Sequence, residues 1–462
     1  MARRSTKSST FNSSEYINDQ RRNYALYVLQ SRAIPHAADG LKPAARRVLW
    51  VGRNGEKYKT ATLAGATMPI HPHDSPDGAI NTLAAPYNNN IPLFKGIGAF
   101  GTLLEPKEYG APRYTSVKVS EFTKDVVFRD IEIIPMADNY DMTLQEPVHF
   151  LPLVPVALLN PASGIAIGFA CNILPRALDD LIMIQLGYLQ GKKRFTDPMP
   201  RFVATNNVAV SREETNNGSA YTFEGDYEQI NATTIRITKL PFGQAHEKKC
   251  IARLESLIEK DIVADWTDNS KNVIDIEVRF KKGYLSSQTR EDVIKTLGLF
   301  ERHAENLNVI DFTGTRVWSP TPVDLIKEFT EWRLQWYVQR FERLRQIAQD
   351  DLQRYIDIRT AIKNNVSGLV KSTQSRAALK EALTEFKIVN LDYIADLPVY
   401  RFTEDEFNKN EERIKETKAI IKEYEAMLGS EDKRRELYVV ELKEVLRKYL
   451  KGVYNERETQ SK

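Results

Sequence analysis

The stretch RAIPHAADGLKPAARRVLW, residues 32–50, decides the architecture of the first third of the chain. Ile34-Pro35 ends any helix that precedes it, because a proline ring disfavours the α conformation in the residue before it. Gly40-Leu41-Lys42-Pro43 then opens a new helix, with Pro43 suited to the first turn, where no backbone N–H is needed. That helix carries Arg46, Arg47, Val48, Leu49 and Trp50. Upstream, Tyr16, Ile17, Tyr24, Val28 and Leu29 form a rough helical stripe over residues 13–31, with Ser13 or Ser14 as its cap. Downstream, a third short helix is expected around residues 61–66. Three short helices with a basic edge suggest a helix-turn-helix or winged-helix unit.

Charge sharpens this reading. The 462-residue chain has a net charge of only +3, yet residues 1–60 hold twelve Lys and Arg against four Asp and Glu. Such a local excess attracts a phosphate backbone, although a solvated basic face has the same composition. At 42% hydrophobic and 27% charged, the chain has enough apolar residues for several packed cores. No apolar run reaches the roughly eighteen residues that would span a membrane. Cys171 and Cys250 belong to no CxxC pair, and the six histidines complete no zinc pattern. A reducing, cytoplasmic setting is expected.

Residues 86–110 are loop-rich and contain a formal GxGxxG at Gly96-Ile97-Gly98-Ala99-Phe100-Gly101. A dinucleotide fingerprint needs a strand before it and a helix after it, and Pro92, Pro106 and Gly110 argue against that context. Residues 111–128 read as a strand or turn leading into a helix. Residues 150–170 look buried and irregular, and residues 202–278 look like an α+β domain. In the C-terminal third, Leu334, Val338, Phe341, Ala348, Leu352, Tyr355, Ile362 and Val366 recur at three- and four-residue steps, the mark of a long helix with one apolar seam. A helix of over thirty residues measures roughly 50 Å. A returning helix is expected from Thr403, with a Thr403/Glu406 capping box, a Phe402/Phe407 staple and a seam through Ile414, Ile421, Tyr424 and Leu428. Residues 371–400 between them read as a compact helical tip. An antiparallel coiled-coil arm and a bundle folded on the body both satisfy this periodicity.

Arg113-Tyr114-Thr115 follows the glycine-rich loop. A tyrosine phenolate can attack a phosphodiester, and the aryl phosphate ester it forms conserves the bond energy for resealing. A phenol with an ordinary pKa near 10 is mostly protonated at neutral pH. An adjacent guanidinium stabilises both the phenolate and the charge developing on phosphorus. By itself an Arg-Tyr pair is more often structural.

The order of motifs changes that balance. Residues 32–35, 39–43 and 46–49 resemble the start of the breakage-reunion region of gyrase A and topoisomerase IV. His71-Pro72-His73, Gly98-Ala99-Phe100-Gly101, Arg113-Tyr114-Thr115 and Asn139-Tyr140-Asp141 follow in that family's order. So do residues 158–168, Asn172-Ile173-Leu174-Pro175 and Ile394-Ala395-Asp396-Leu397. The resemblance to type IIA DNA topoisomerases covers nearly the whole chain. Residues 87–93 and 150–155 look most like the medium subunits of T-even-type bacteriophage topoisomerases.

The resemblance implies an α+β, multidomain fold with five parts. These are an N-terminal arm and helix (1–30), a winged-helix cleavage domain (31–180), an α+β tower domain (181–320), a coiled-coil arm (321–370 and 403–455) and an exit-gate tip globule (371–402). It implies that Tyr114 attacks DNA and stays on the 5′ phosphate, that Arg113 binds the scissile region, and that His73 and Arg32 assist at the reacting phosphate. Lys42, Arg46, Arg47 and His71 match DNA-holding residues. Ile165 matches an isoleucine that wedges between base pairs. One departure is local: Asp74-Ser75-Pro76-Asp77-Gly78 follows His73, and Pro76 and Gly78 are expected to disturb the first turn of the next helix.

The resemblance also implies partners. No acidic Toprim set and no ATP-binding motif is evident, so this chain is expected to hold no metal itself. Mg2+ and ATP would come with an ATPase/Toprim large subunit, and double-stranded DNA would be gripped by a homodimer inside that heteromeric complex. The setting would be cytoplasmic, the bacterial host's cytoplasm for a phage-encoded chain. The end of the sequence at Lys462 leads to an expectation of relaxation or decatenation without negative supercoiling. Two alternatives remain at this point. One is a non-catalytic winged-helix, coiled-coil architectural protein. The other is a tyrosine recombinase, which places its tyrosine near the C-terminus.

Overall fold

In a computed structural model of the chain, residues 20–21, 32–72, 76–166, 168–203, 208–215, 218–244, 246–271 and 273–455 are described. The helix expected over residues 13–31 and the candidate His73 lie outside them. The chain forms two compact units, Met1–Trp332 with Glu441–Lys462, and Arg333–Val440.

The first unit opens with α1 (Pro43–Val51), β1 (Tyr58–Lys59), α2 (Thr60–Thr67) and α3 (Pro76–Ala84). Pro43 occupies the first turn of α1 as expected, and Val48 and Leu49 are fully buried beneath it. The bend before α1 depends on Gly40, at φ +68°, where a Cβ would lie 2.5 Å from the Ala157 amide nitrogen. The expected disruption after His73 does not occur. Pro76 starts α3, a position where its missing N–H costs nothing, and Asp77 complements the helix N-terminus.

β2 (Phe94–Ile97) and β3 (Ser116–Val119) complete an antiparallel sheet of order β1-β3-β2. β3 is central, so Ser116 faces Lys59 on one side and Ile97 on the other. The glycine-rich motif leaves β2 as a loop closed by a Phe100–Tyr109 bridge, not as a crossover helix. Next come a hairpin of β4 (Met136–Asp138) with β5 (Gln145–Pro147), then α4 (Val156–Leu159). The expectation for residues 150–170 holds as far as Leu159, which is fully buried. Beyond it, β6 (Ala162–Ala166) and β7 (Phe169–Ile173) form a hairpin on which Ile165 and Phe169 are exposed, and α5 (Leu178–Leu189) follows.

Apart from a short antiparallel pair, Val309–Ile310 with Val317–Trp318, the remaining strands form two sheets. β8 (Ala209–Thr215) pairs with β9 (Gly218–Glu224), which later receives β14 (Phe300–Ala304). Between them β10 (Asp226–Gln229), β11 (Thr234–Lys239), β12 (Val263–Asp268) and β13 (Ile276–Phe280) make a four-stranded sheet of order β10-β11-β13-β12. Ile235, Ile237, Ile276 and Val278 alternate inward on β11 and β13. Against them pack Leu254 and Leu257 of α6 (Ala252–Glu259) and Val293, Ile294 and Leu297 of α7 (Arg290–Leu297). Helix and strand therefore mix here as expected.

α8 (Pro322–Lys363) is 42 residues long, and from Arg333 onward it belongs to the second unit. Leu334, Phe341 and Ala348 of its expected seam are buried. Phe341 lies against Tyr424 at 5.7 Å between ring centroids, and Tyr337 against Tyr438 at 5.3 Å. α9 (Val366–Ser372), α10 (Arg376–Glu385) and α11 (Leu391–Ala395) enclose a small core of Ile358, Val366, Leu379, Leu383, Ile388 and Ile394. The return is split into α12 (Glu404–Leu428) and α13 (Glu431–Leu450), interrupted at Gly429-Ser430. The expected capping box is absent. The Thr403 hydroxyl donates to the Tyr400 carbonyl at 3.0 Å, and Glu406 is taken by Arg401 at 2.7 Å.

Candidate active site

Tyr114 sits in a turn that its neighbours hold at both ends. Its own amide donates to Ala111 O at 2.8 Å. Thr115, immediately after it, is buried. The Thr115 carbonyl accepts from the Thr60 amide at 3.1 Å, and the two threonine hydroxyls lie 2.8 Å apart. The start of α2 and the edge of β3 thus fix the backbone on which Tyr114 is mounted. The side chain itself is 70% exposed, and its hydroxyl makes no hydrogen bond among the described residues. The Arg113 guanidinium lies over its ring at 4.7 Å, and Lys59 donates to its carbonyl at 3.4 Å. One guanidinium therefore stands against an uncommitted phenol, and an ammonium group holds the main chain that carries it. The contribution of Lys59 was not anticipated from sequence, since it depends on β1 pairing with β3.

A second group assembles around the β6–β7 hairpin. Ile165, near its tip, is 88% exposed, more than any other large apolar side chain among the described residues. The hairpin docks so closely that a Cβ on Gly164 would lie 2.0 Å from Ala33 O. Lys42 donates to Ser163 O at 2.7 Å, and Cys171 donates to Ala33 O at 3.5 Å. Arg32, which precedes Ala33 in the chain, is exposed. Burial lowers the Lys42 pKa, partly offset by Cys171.

The base of this hairpin is anchored by a group that sequence reasoning missed. Arg176 is fully buried and forks onto Glu305 through two 2.7 Å bonds, while Glu305 also accepts from the Leu174 amide at 3.0 Å. Glu305 follows β14, 129 residues away, and no local pattern reveals such a pairing.

Arg46 and Arg47 require a correction. Both were expected to grip phosphates, and both are buried in ion pairs. Arg46 forks onto Asp39 at 2.7 and 3.0 Å and also donates to Leu41 O. Asp39 further accepts from the Leu41 and Phe150 amides, each at 3.0 Å. Burial alone would raise the Asp39 pKa; the Arg46 charge and hydrogen bonds reverse this and hold it below the usual carboxylate range. Arg47 pairs with Glu146 of β5. These guanidiniums organise the framework. A basic count cannot distinguish a cation facing solvent from one whose partner arrives from elsewhere in the fold.

His71 is half-buried, edge-on to Tyr140 at 5.7 Å, and Asn139 donates to the Pro69 and Ile70 carbonyls just before it. Among the described residues no group of three or more His, Cys, Asp or Glu side chains is placed to hold a metal ion. No described helix is long and apolar enough to cross a membrane.

An exposed phenol beside a guanidinium suits a protein that exchanges a phosphodiester for a phosphotyrosine. The family model for the A subunits of DNA gyrase and topoisomerase IV matches residues 32–443, and the chain belongs to that family. The DNA topoisomerase medium subunit of Enterobacteria phage T4 is 30% identical over 419 residues, covering 87% of this chain and 92% of that one. The DNA gyrase A protein of Lawsonia intracellularis is 28% identical over 450 residues, 88% of this chain and 53% of that one. The DNA topoisomerase 4 A protein of Borreliella burgdorferi is 29% identical over 280 residues, 60% of this chain and 44% of that one. The chain therefore spans nearly all of the phage relative and about half of the two bacterial ones.

Proposed function

We propose that this chain, the DNA-cleaving subunit of a type II DNA topoisomerase, makes its break with Tyr114. The phenol oxygen attacks the scissile phosphorus, the bond from phosphorus to the 3′ oxygen breaks, and the 5′ phosphate stays on Tyr114. Arg113 lowers the cost of negative charge on the phenolate and on the phosphoryl oxygens, and Lys59 steadies the main chain at Tyr114. The 3′ hydroxyl remains the nucleophile for resealing. The observation that carries this reading is an exposed tyrosine on a backbone that is otherwise tightly fixed.

The three short helices and the antiparallel sheet act as a winged-helix DNA platform. The strand-rich region after α5 corresponds to a tower, and α8 with α12 and α13 to a coiled-coil arm ending in an exit gate. Lys42 and His71 hold the DNA, Arg32 and His73 assist at the reacting phosphate, and Ile165 enters the stack. An apolar side chain can unstack a base step at a cost of a few kcal/mol, offset by contacts to the bent duplex. The described residues do not fit a resident metal ion. Mg2+ and ATP are assigned to a large partner subunit, two copies of this chain supply one tyrosine per strand, and the complex works in a host cytoplasm.

The test combines the chain with its ATPase/Toprim partner, Mg2+ and end-labelled DNA, followed by detergent and protease. A labelled peptide carrying residue 114 on the 5′ side of the break supports the assignment. A covalent peptide from another tyrosine rejects it. DNA binding without any covalent product returns the architectural reading.

A further inference from the structure

The loop that leads to Tyr114 has a second role available at its far end. Residues 98–110 are closed at the neck by the Phe100–Tyr109 bridge and by the Gly110 amide on Ala99 O at 2.9 Å. At the other end, Leu103 and Leu104 pack against the core of the four-stranded sheet. Beneath this contact lies a cavity of about 330 Å³, between residues 103–107 and the corner at residues 238–248. That volume is at the lower end of small-ligand pockets and too small for a folded partner segment.

The chemistry of the wall is asymmetric. Leu103, Phe202, Leu240, Phe242 and Ile274 supply an apolar lining, with the Phe202 and Phe242 rings tilted against each other at 4.8 Å between centroids. Lys107, Lys239 and Lys248 also line it, with Glu105 as the one acid among the described residues that do so. Lys239 is 3.8 Å from Asp226, which also pairs with Arg290, whereas Lys107 and Lys248 are exposed. Gln244 donates to Gly298 O at 3.0 Å, and its Oε1 is buried without a hydrogen-bond donor among the described residues. An apolar wall, a cationic rim and an unmet acceptor together describe the complement of one kind of molecule.

We propose that this cavity binds a small amphipathic anion, an aromatic or aliphatic body with one acidic group and one N–H or O–H donor. Its occupant braces the loop that carries Tyr114. The binding site does not depend on the role assigned to that tyrosine. Bracing follows from connectivity, since residues 103–107 form the wall and the neck of the same loop runs directly into the Ala111–Tyr114 turn.

The probe is 8-anilinonaphthalene-1-sulfonate, which carries aromatic rings, one sulfonate and one anilino N–H. It is titrated into the full chain by fluorescence, with amide hydrogen exchange to locate it. The expected result is one probe per chain, slowed exchange at residues 103–107 and 238–248, and slowing that extends to the Gly110 and Tyr114 amides. Lys107→Glu with Lys248→Glu, both at exposed positions, should weaken binding about tenfold, and the uncharged N-phenyl-1-naphthylamine should bind comparably less well. Asn88→Trp, at the cavity wall, should compete with the probe for space. Slowed exchange elsewhere, or unchanged affinity in the charge-reversed chain, overturns the site. Protection at residues 103–107 and 238–248 with no change at Gly110 and Tyr114 overturns the bracing.

Discussion

α1 and the Arg113–Tyr114 turn both look functional in sequence, and the fold treats them in opposite ways. Arg46 and Arg47 are drawn inward onto Asp39 and Glu146 and are almost wholly buried. Tyr114 and Ile165, residues that ordinarily seek cover, are 70% and 88% exposed. The difference teaches where to look for chemistry. A buried guanidinium with a carboxylate is explained by stability alone, whereas an exposed apolar side chain is read as a site only from the groups assembled beside it, since Met142 and Leu450 are at least as exposed as Tyr114.

The largest expected effect tests the exposed side of this contrast. Tyr114→Phe removes one hydroxyl that has no described partner. Folding stability should stay within about 0.5 kcal/mol by urea titration, while detergent-trapped protein–DNA adducts disappear. A variant that unfolds early would show Tyr114 to be structural. Next is the buried side. Arg46→Ala leaves Asp39 as an unpaired buried carboxylate and should cost about 3–5 kcal/mol. If Arg46 instead held phosphate, stability would be retained and the slope of log affinity against log salt would fall by about one.

A smaller effect comes from the histidines beside Asp39. Burial lowers the His36 pKa from 6.5 to about 4 and lowers that of His149 in the same direction. The rings lie 5.3 Å apart, and His149 is in turn 5.3 Å from the Trp332 ring. Between those two pH values the unfolded chain takes up a proton that folded His36 refuses. Stability is therefore full above pH 6.5 and declines as pH falls toward 4, by about 2 kcal/mol between pH 7 and pH 5 for His36 alone. His36→Asn should flatten that decline, and an unchanged slope would mean that His36 does not resist protonation. The smallest effect on the fold is expected at Ile165→Ala. Its stability should not move measurably, yet cleavage of linear duplex by the assembled complex should drop about tenfold, one tenfold step being about 1.4 kcal/mol of lost wedging. Loss of stability instead would return Ile165 to an ordinary packing role.

Local chemistry was readable wherever one segment decides its own conformation. Pro43 announced α1, the three- and four-residue recurrence announced α8 and α12, and the pattern of residues 202–278 announced strands mixed with helices. Capping at Thr403 followed the same logic and failed, because Arg401 lies near enough to claim Glu406 first. The α3 helix failed in the other direction: Pro76 falls at the one turn that tolerates it.

By itself the sequence determined element type, the order of motifs and the identity of the candidate nucleophile, since periodicity and residue chemistry are properties of short segments. Only the tertiary structure decided which cations are spent on carboxylates, because the partner of Arg47 lies 99 residues away and that of Arg176 lies 129 residues away. It also decided that Ile165 stands in solvent. Exposure is set by what packs across a side chain, and here Gly164 presses the hairpin against Ala33 and leaves Ile165 uncovered.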